Sequence, residues 1–573
     1  MTNQDIFSLK IGGFAGQGIK SAGLMFAKVA TRSGYHTYDY TEYPSLIRGG
    51  HNMMQILVSK NEVTAPVKKT DLVVALDRNS IDKYLGTLTN DNGIIYDEIN
   101  TIDSSKTPKG VNLFPLPLGK LAQEAGDKEL LSNTVALGAA LALLGGNLSV
   151  LNDLISEEFS DKNEGVIKMN HQAAETGYNY AREKFSAHLK TTLTPVENLE
   201  PKMVINGNDA VALAAIAAGL QFAAIYPMTP ITGLMHLLAF YQEKYEYIYK
   251  QPEDEISAIN MAIGASFAGA RSMTATAGGG FCLMTEGYGL AGMTETPLVI
   301  IEGMRPGPAT GLPTWSEQGD LRFVLHAHQG DFPRIVLAAG DAKEAFDLTM
   351  KAFNLAEKYQ TPVVLIVDKN LCENDQSFPF FDTTGFEIDR GKLTIKASAD
   401  YKRFELSSDG ISTRTIPGTG NFLIANSDEH DAQGFSNEES ENRSEQMKKR
   451  MTKLATCATQ DMQAPQLFGP DEADITLVSW GSNKGSILQA IKNFNNVNYL
   501  HLTWMNPFPT DAIKERLGKS KHIIDIGCNY SAQLAGLIRE NTGIEITDKM
   551  LKYDGRPFFS EEIIEKINSF LKK

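Results

Sequence analysis

A chain of 573 residues, 42% of them hydrophobic, is long enough for three or four cored domains. Its 54 basic against 69 acidic side chains leave a formal charge of −15, which argues against a nucleic-acid polyanion as the main partner, and the lone Arg48-Gly49-Gly50 is not an RGG tract. Cys282, Cys372, Cys457 and Cys528 are far apart and form no CxxC, zinc or iron–sulfur spacing, so unpaired thiols in a reducing cytoplasm are the simplest account. MTNQDIFSLK lacks the pattern of a signal peptide, and the longest apolar stretch, 134–144, is too short to span a bilayer.

Residues 1–195 alternate strand and helix patterns: strand 7–14, helix 18–33, strands 71–76 and 93–96, and a small-residue helix over 135–144. A lysine- and threonine-containing stretch, 190–195, leads to a second α/β pattern with strands at 223–226, 272–277, 298–302, 334–337 and 362–367. Residues 372–465 are richer in Asp, Ser, Asn and Thr and read as a long connecting segment with one surface helix. A third α/β pattern follows: strand 475–480, helix 484–494, strand 499–502, helix 510–517, strand 522–526 and helix 532–542.

Four places carry chemistry or imitate it. GGFAGQGIKSAG, 12–23, lies between a strand and a helix, but Ser21 stands where a dinucleotide fingerprint has its third glycine, and Asp39 is the matching acidic position. Gly13, Gly16 and Gly18 therefore either hold a nucleotide-like ligand or let a helix pack closely on its strand. In YPMTPIT, 226–232, Pro230 reads as the first residue of a helix and Thr229 as its N-cap. That is either a sound strand-to-helix turn or a place where strand end, hydroxyl and helix N-terminus meet an anion. Gly278-Gly279-Gly280 precede a predicted helix at 281–292; without a lysine or Walker pattern they suit the approach of a flat, bulky group to the backbone. Glu255 opens a helix rich in alanine and glycine, where it either complements the dipole or supplies a functional carboxylate. Arg305 follows a buried strand and is either half of a salt bridge or an anion contact.

YPMTPIT, Glu255 before a small-residue helix, Arg305 fifty positions on, and RPGPATGLPT together resemble the α subunit of the 2-oxoacid:ferredoxin oxidoreductases. The likeness covers nearly the whole chain. GFAGQGI with RGGHN resembles the family's γ domain fused ahead of the α part, SDEHDAQG its EHDE-G segment, and NPFP with NYSAQL its transketolase-like domain. Gly527 stands where relatives have a glutamate. The resemblance implies an α/β chain of three α/β domains, with a γ domain over 1–195, a thiamine-pyrimidine-binding domain over 196–371, the connecting segment 372–465 and a transketolase-like domain over 466–573.

What the resemblance implies for function is the oxidative decarboxylation of a 2-oxo acid with coenzyme A, yielding acyl-CoA, CO2 and reduced ferredoxin. The fused layout favours 2-oxoglutarate, with pyruvate or branched-chain 2-oxo acids as the alternative. Glu255 falls at N1′ of the thiamine diphosphate aminopyrimidine, Thr229, Arg305 and Thr314 at the substrate, and Tyr226, Pro227, Gly279 and Gly280 at the cofactor. Gly13, Gly16 and Gly18 become a coenzyme A or nucleotide-like loop. The sequence has no GDG followed by asparagine and no cysteine cluster set, so no metal ligand is assigned to it. A β subunit is then expected to carry the diphosphate, Mg2+ and a 4Fe-4S cluster, in a heterotetramer of two α and two β chains that reduces ferredoxin. A self-contained thiamine enzyme would need the missing motif, and a non-catalytic nucleotide-binding scaffold leaves Glu255 and Arg305 unexplained.

Overall fold

The structure, a computed structural model, describes residues 6–46, 49–185, 189, 192–196 and 200–571; Arg48 of RGGHN and residues 190 and 191 of the predicted linker lie outside them. Among the described residues the strands form three sheets, with helices between many of the consecutive strands, an α/β architecture. By its contacts the chain divides into two compact units.

The first unit comprises Met1–Ile205, Asn374–Phe381 and Phe559–Glu565. Its sheet runs in the order Asn112–Leu116, Gly93–Asp97, Leu72–Ala75, Phe7–Phe14, His51–Ser59, His36–Glu42, Gln376–Pro379, Lys202–Ile205. The four strands at one side are parallel, and from Phe7–Phe14 onward every neighbour is antiparallel. The strands His36–Glu42 and His51–Ser59 escape the apolar-run rule because polar side chains are buried within them. Asp39, for example, is buried and accepts a hydrogen bond from the Asp375 N–H at 3.0 Å. The segment taken as connecting thus supplies a strand, Gln376–Pro379, to this sheet.

The small-residue helix extends over Lys128–Leu143, earlier than its apolar part suggested, and packs on Glu164–Lys184 through glycines. A Cβ at position 138 would lie 2.1 Å from the Ala174 carbonyl oxygen, and one at 177 would lie 2.0 Å from that of Val135. Backbone, unlike a side-chain tip, cannot swing aside. Gly138→Ala is therefore expected to destabilise this unit by about 1–3 kcal/mol despite the better helix propensity of alanine. An unchanged denaturation midpoint would show that the helices separate at no cost.

The second unit comprises Asn206–Glu373, Asp382–Phe558 and Lys566–Lys573 and holds two sheets. One runs Trp504–Asn506, Ile335–Ala338, Pro362–Asp368, Leu298–Met304, Ser272–Thr276, Phe222–Ala224, Ile248–Lys250, and is parallel apart from its first strand. Every residue of Leu298–Met304 and Pro362–Asp368 is buried, as expected of central parallel strands covered on both faces. The other runs Gln466–Phe468, Val497–Leu502, Ile475–Trp480, His522–Gly527, Asp548–Leu551.

The expected surface helix is Ser440–Gln460, and one face of it is buried. Lys449 and Lys453 meet the two carboxylate oxygens of buried Glu295 at 2.6 Å each. Those cations hold the Glu295 carboxyl well below its ordinary range although burial acts the other way. Counting apolar residues misses such a face, because opposite charges and not hydrocarbon cover it.

Candidate active site

Asp254 ends an extended approach and caps the helix Glu255–Phe267, its Oδ1 accepting from the Ser257 N–H at 2.7 Å. That cap leaves Glu255 free of the capping task and turns it inward. Glu255 is 3% exposed, and its Oε1 has no hydrogen-bond partner among the described residues. A buried carboxylate oxygen without a donor is costly unless something else completes it.

The glycines beside it are not a loop but the first turn of the helix Gly278–Met293, which starts three residues earlier than expected because glycine can enter the turn with no side chain to place. A Cβ at 280 would lie 2.7 Å from Glu255 Oε1 and 2.0 Å from Thr276 Oγ1, so only glycine lets this helix close on the carboxylate. Gly279, by contrast, is exposed and a Cβ there would meet nothing within 4 Å. The two glycines, adjacent in sequence, thus separate into a packing position and an open one.

The strand before YPMTPIT ends at Ala224, and the helix after it is Thr232–Tyr245, with Ile231 and not Thr229 at the N-cap. Tertiary contacts claim the turn. The Thr229 carbonyl accepts from Arg305 Nη1 at 3.0 Å and the Pro230 carbonyl from Asn208 Nδ2 at 2.9 Å, so neither residue is available to begin the helix. Tyr226, Pro227 and Thr229 are half-buried along this turn.

Arg305 follows Met304 at the carboxyl end of a central parallel strand, as the sequence suggested. Its guanidinium is partly desolvated, which lowers its proton affinity, while Asp320 raises it. The segment after it is shaped by its own backbone: the Leu312 N–H donates to the Pro306 carbonyl at 3.0 Å, and Gly311 has φ 52°, with that carbonyl 1.9 Å from where a Cβ would lie. Thr314, buried, closes the segment. Turn, arginine and ordered segment come together in one unit with Glu255.

In the other unit, Gly13 lies inside the strand Phe7–Phe14, Gly16 has φ 96°, and Gly18, φ 66°, is the N-cap of Ile19–Arg32. Gln17 ties this turn down, its Oε1 accepting from the Phe14 N–H at 2.9 Å and its Nε2 donating to the Leu76 carbonyl at 3.2 Å. Asp39 lies on a strand separated from Phe7–Phe14 by an antiparallel neighbour, so it does not occupy the ribose-binding place of a dinucleotide fold.

Comparison with known proteins decides the family. The model for the pyruvate flavodoxin/ferredoxin oxidoreductase thiamine diphosphate-binding region matches residues 213–449, and that for pyruvate ferredoxin/flavodoxin oxidoreductase matches 8–180. A 2-oxoacid:ferredoxin oxidoreductase subunit alpha from Saccharolobus solfataricus is 32% identical, over 99% of this chain and 98% of its own. The chain belongs to this family. It is an α subunit of the 2-oxoacid:ferredoxin oxidoreductases, and its activity class is that of an oxidoreductase. A 2-oxoglutarate oxidoreductase subunit from Mycobacterium tuberculosis is 27% identical over 97% of this chain and 90% of its own. The 2-oxoglutarate:ferredoxin oxidoreductase of Magnetococcus marinus, solved with 2-oxoglutarate, coenzyme A and succinyl-CoA bound, superposes with TM-score 0.91 at 31% identity, covering 99% of each chain.

In this α subunit the region matched to thiamine diphosphate binding includes every candidate from Tyr226 to Thr314. The orphaned Glu255 oxygen fits the cofactor, since an aminopyrimidine offers a hydrogen-bonding ring nitrogen to a buried carboxylate. Sequence reasoning passed over Glu302, a fully buried carboxyl in the same strand that delivers Arg305. The signal was legible in LVIIEGM, where one acid interrupts an apolar parallel strand.

Proposed function

We propose that this α subunit, with a β subunit, oxidatively decarboxylates 2-oxoglutarate to succinyl-CoA and passes the electrons to ferredoxin. The observation that carries this reading is the buried, unpartnered Oε1 of Glu255 against the glycine helix. In it, Glu255 accepts a hydrogen bond at the aminopyrimidine N1′ and so tunes the cofactor's own base. Thiamine diphosphate, when bound, supplies the nucleophilic carbon for the 2-oxo group and the electron sink for loss of CO2. Tyr226, Pro227 and Gly279 offer it an open wall, and Gly280 keeps Glu255 within reach. Arg305 takes the C1 carboxylate of the substrate by charge-assisted hydrogen bonds, with Thr229 and Thr314 as hydroxyl donors. The β subunit is assigned the diphosphate, Mg2+ and the 4Fe-4S cluster, coenzyme A the role of acyl acceptor, and the N-terminal glycine turn a contact to coenzyme A. A heterotetramer of two α and two β chains working in the cytoplasm completes the reading.

A substrate panel on the co-expressed subunits tests it. The value of kcat/KM for 2-oxoglutarate is expected to exceed those for pyruvate and 2-oxoisovalerate by about tenfold or more, because a site that pairs a second carboxylate rejects acids lacking one. Equal values across the panel would assign the chain a broad 2-oxo-acid range.

Arg305 has its own test. Arg305→Ala should raise KM about 10- to 100-fold for every 2-oxo acid, with a smaller change in kcat, since it removes a charge-assisted contact to a group common to all of them. If one substrate is spared, Arg305 reads the side chain of the substrate instead.

A further inference from the structure

Arg305 leaves the carboxyl end of Leu298–Met304, and the segment that follows carries Thr314 and returns to the same sheet at Gln318. Gln318 is 1% exposed, and its side-chain amide is used at both ends. Nε2 donates to Asp368 Oδ2 at 3.0 Å and to the Trp480 carbonyl at 3.3 Å, while Oε1 accepts from Asn483 Nδ2 at 2.7 Å. Asp368 ends the strand Pro362–Asp368 and pairs in register with Met304, so Gln318 is fastened one residue from the level of Arg305. Trp480 ends the strand Ile475–Trp480 of the other sheet in this unit. The seat is close: at Gly481, φ 62°, a Cβ would lie 2.5 Å from Gln318 Nε2.

The main chain around Gln318 is held as well. Its own N–H donates to the Cys528 carbonyl at 2.7 Å and the Ser316 N–H to that of Gly555 at 3.0 Å, and the Arg556 guanidinium stacks 3.6 Å from the centre of the Trp315 ring. Gln533, the glutamine of NYSAQL, donates from Nε2 to the Gly319 carbonyl at 2.6 Å and accepts at Oε1 from the Arg322 N–H at 2.9 Å. The chain between Arg305 and Gly319 is thus pinned at both ends, with Thr314 between them. We propose that Gln318 is a positioning residue for the 2-oxo acid: by fastening the returning end of this segment to Asp368, Trp480 and Asn483, it fixes where Thr314 stands relative to Arg305. The proposal rests on the reading of Arg305 and Thr314 as substrate contacts. It gives the sheet that contains Ile475–Trp480, which supplies none of the candidate site residues, a part in substrate binding.

The place calls for an amide. Asp368 and Trp480 present oxygens and Asn483 an N–H, so the side chain between them must offer donors on one branch and an acceptor on the other. A methionine of similar length fills the same space and bonds to none of the three. Asp368 then still accepts from the Leu371 N–H at 3.0 Å on Oδ1 and from the Ser482 N–H at 3.3 Å on Oδ2, so neither carboxylate oxygen is left bare. The cost therefore falls on the segment. Arg305 stays where the central strand holds it, whereas Thr314 loses its fixed distance from it. A displaced binding contact weakens capture of the substrate and leaves the chemistry at Glu255 nearly alone.

The test uses the assembled α–β complex. Gln318→Met should raise KM for 2-oxoglutarate about tenfold, change kcat less than about threefold, and leave KM for coenzyme A within about twofold of wild type. Hydrogen exchange read by mass spectrometry should be faster over residues 312–319 in this variant and unchanged over 298–304. Thr314→Val should raise KM in the wild-type background and add less than about twofold in the Gln318→Met background, because one acts through the other; independent sites would multiply. An ordinary KM in Gln318→Met, even with faster exchange, overturns the proposal, as does an equal rise in KM for coenzyme A or a full multiplication with Thr314→Val. Asn483→Ser serves if Gln318→Met does not assemble: it removes the donor to Gln318 Oε1, and KM for 2-oxoglutarate should rise about threefold, an unmoved KM counting against Gln318. An ordinary KM in Gln318→Met beside raised values in Arg305→Ala and Thr314→Val defeats this inference alone, whereas an ordinary KM in either of those two defeats the reading beneath it.

Discussion

Glu255→Gln in the assembled complex should fold normally and lose about two or more powers of ten in turnover. Glutamine matches the glutamate in shape, so the close approach of Gly280 and the packing of the helix Gly278–Met293 are kept. What changes is the ability to take a shared proton: an amide neither stabilises positive charge on a ring nitrogen nor accepts it in the way a carboxylate does. The competing account, in which Glu255 serves only the helix dipole, gives a different pattern. Asp254 already caps the helix at 2.7 Å, so a dipole role is worth only about 0.3–1 kcal/mol and would appear as a small fall in melting temperature with ordinary turnover. Dye-reduction rates and thermal unfolding on the same preparations separate the two. Turnover within a few-fold of wild type would return Glu255 to a structural role.

The purified α chain by itself should reduce no viologen dye with any 2-oxo acid, and should gain that activity on mixing with a cluster-bearing β subunit. A thiamine site needs a carboxylate for the pyrimidine and a metal-bound anchor for the diphosphate. Glu255 offers the first, and the sequence holds no GDG-x-N arrangement to offer the second. Electron transfer needs a cluster, and the four cysteines, of which Cys372, Cys457 and Cys528 are buried and Cys282 exposed, have no cluster-binding spacing in the sequence. The isolated chain is therefore expected to be colourless and to bind thiamine diphosphate weakly, held at one end only. Dye reduction by the α chain alone, at a rate comparable to the complex, would end the half-site account.

Expectations drawn from local pattern held where the cause is local. The strand Ile475–Trp480 and the helix Thr510–Leu517 have the bounds read from their apolar runs. Arg305 stands after a buried strand because LVIIEGM can hardly be anything else when flanked by Pro297 and Pro306. The helix at Glu255 is equally visible, since Asp254 and Ser257 form its cap within four residues. Where the cause is distant, the same rules misjudged. The helix after Pro230 begins at Thr232 because Asn208 and Arg305 take the carbonyls of the turn. The helix Ser440–Gln460 reads as a surface element until Glu295 pairs with its lysines.

The amino-acid sequence by itself determined the α/β class, the central parallel strands and the residue types of the site, because periodicity and capping act over a few residues. Only the tertiary structure decided that Gly280 closes on Glu255, that Arg305 holds the Thr229 turn, and that Glu295 meets Lys449 and Lys453. Each of these joins groups carried by different elements. The physical reason is burial: a lone carboxylate is tolerable in water, and its protonation and its partner become determined only when folding removes that water and brings the second group within reach.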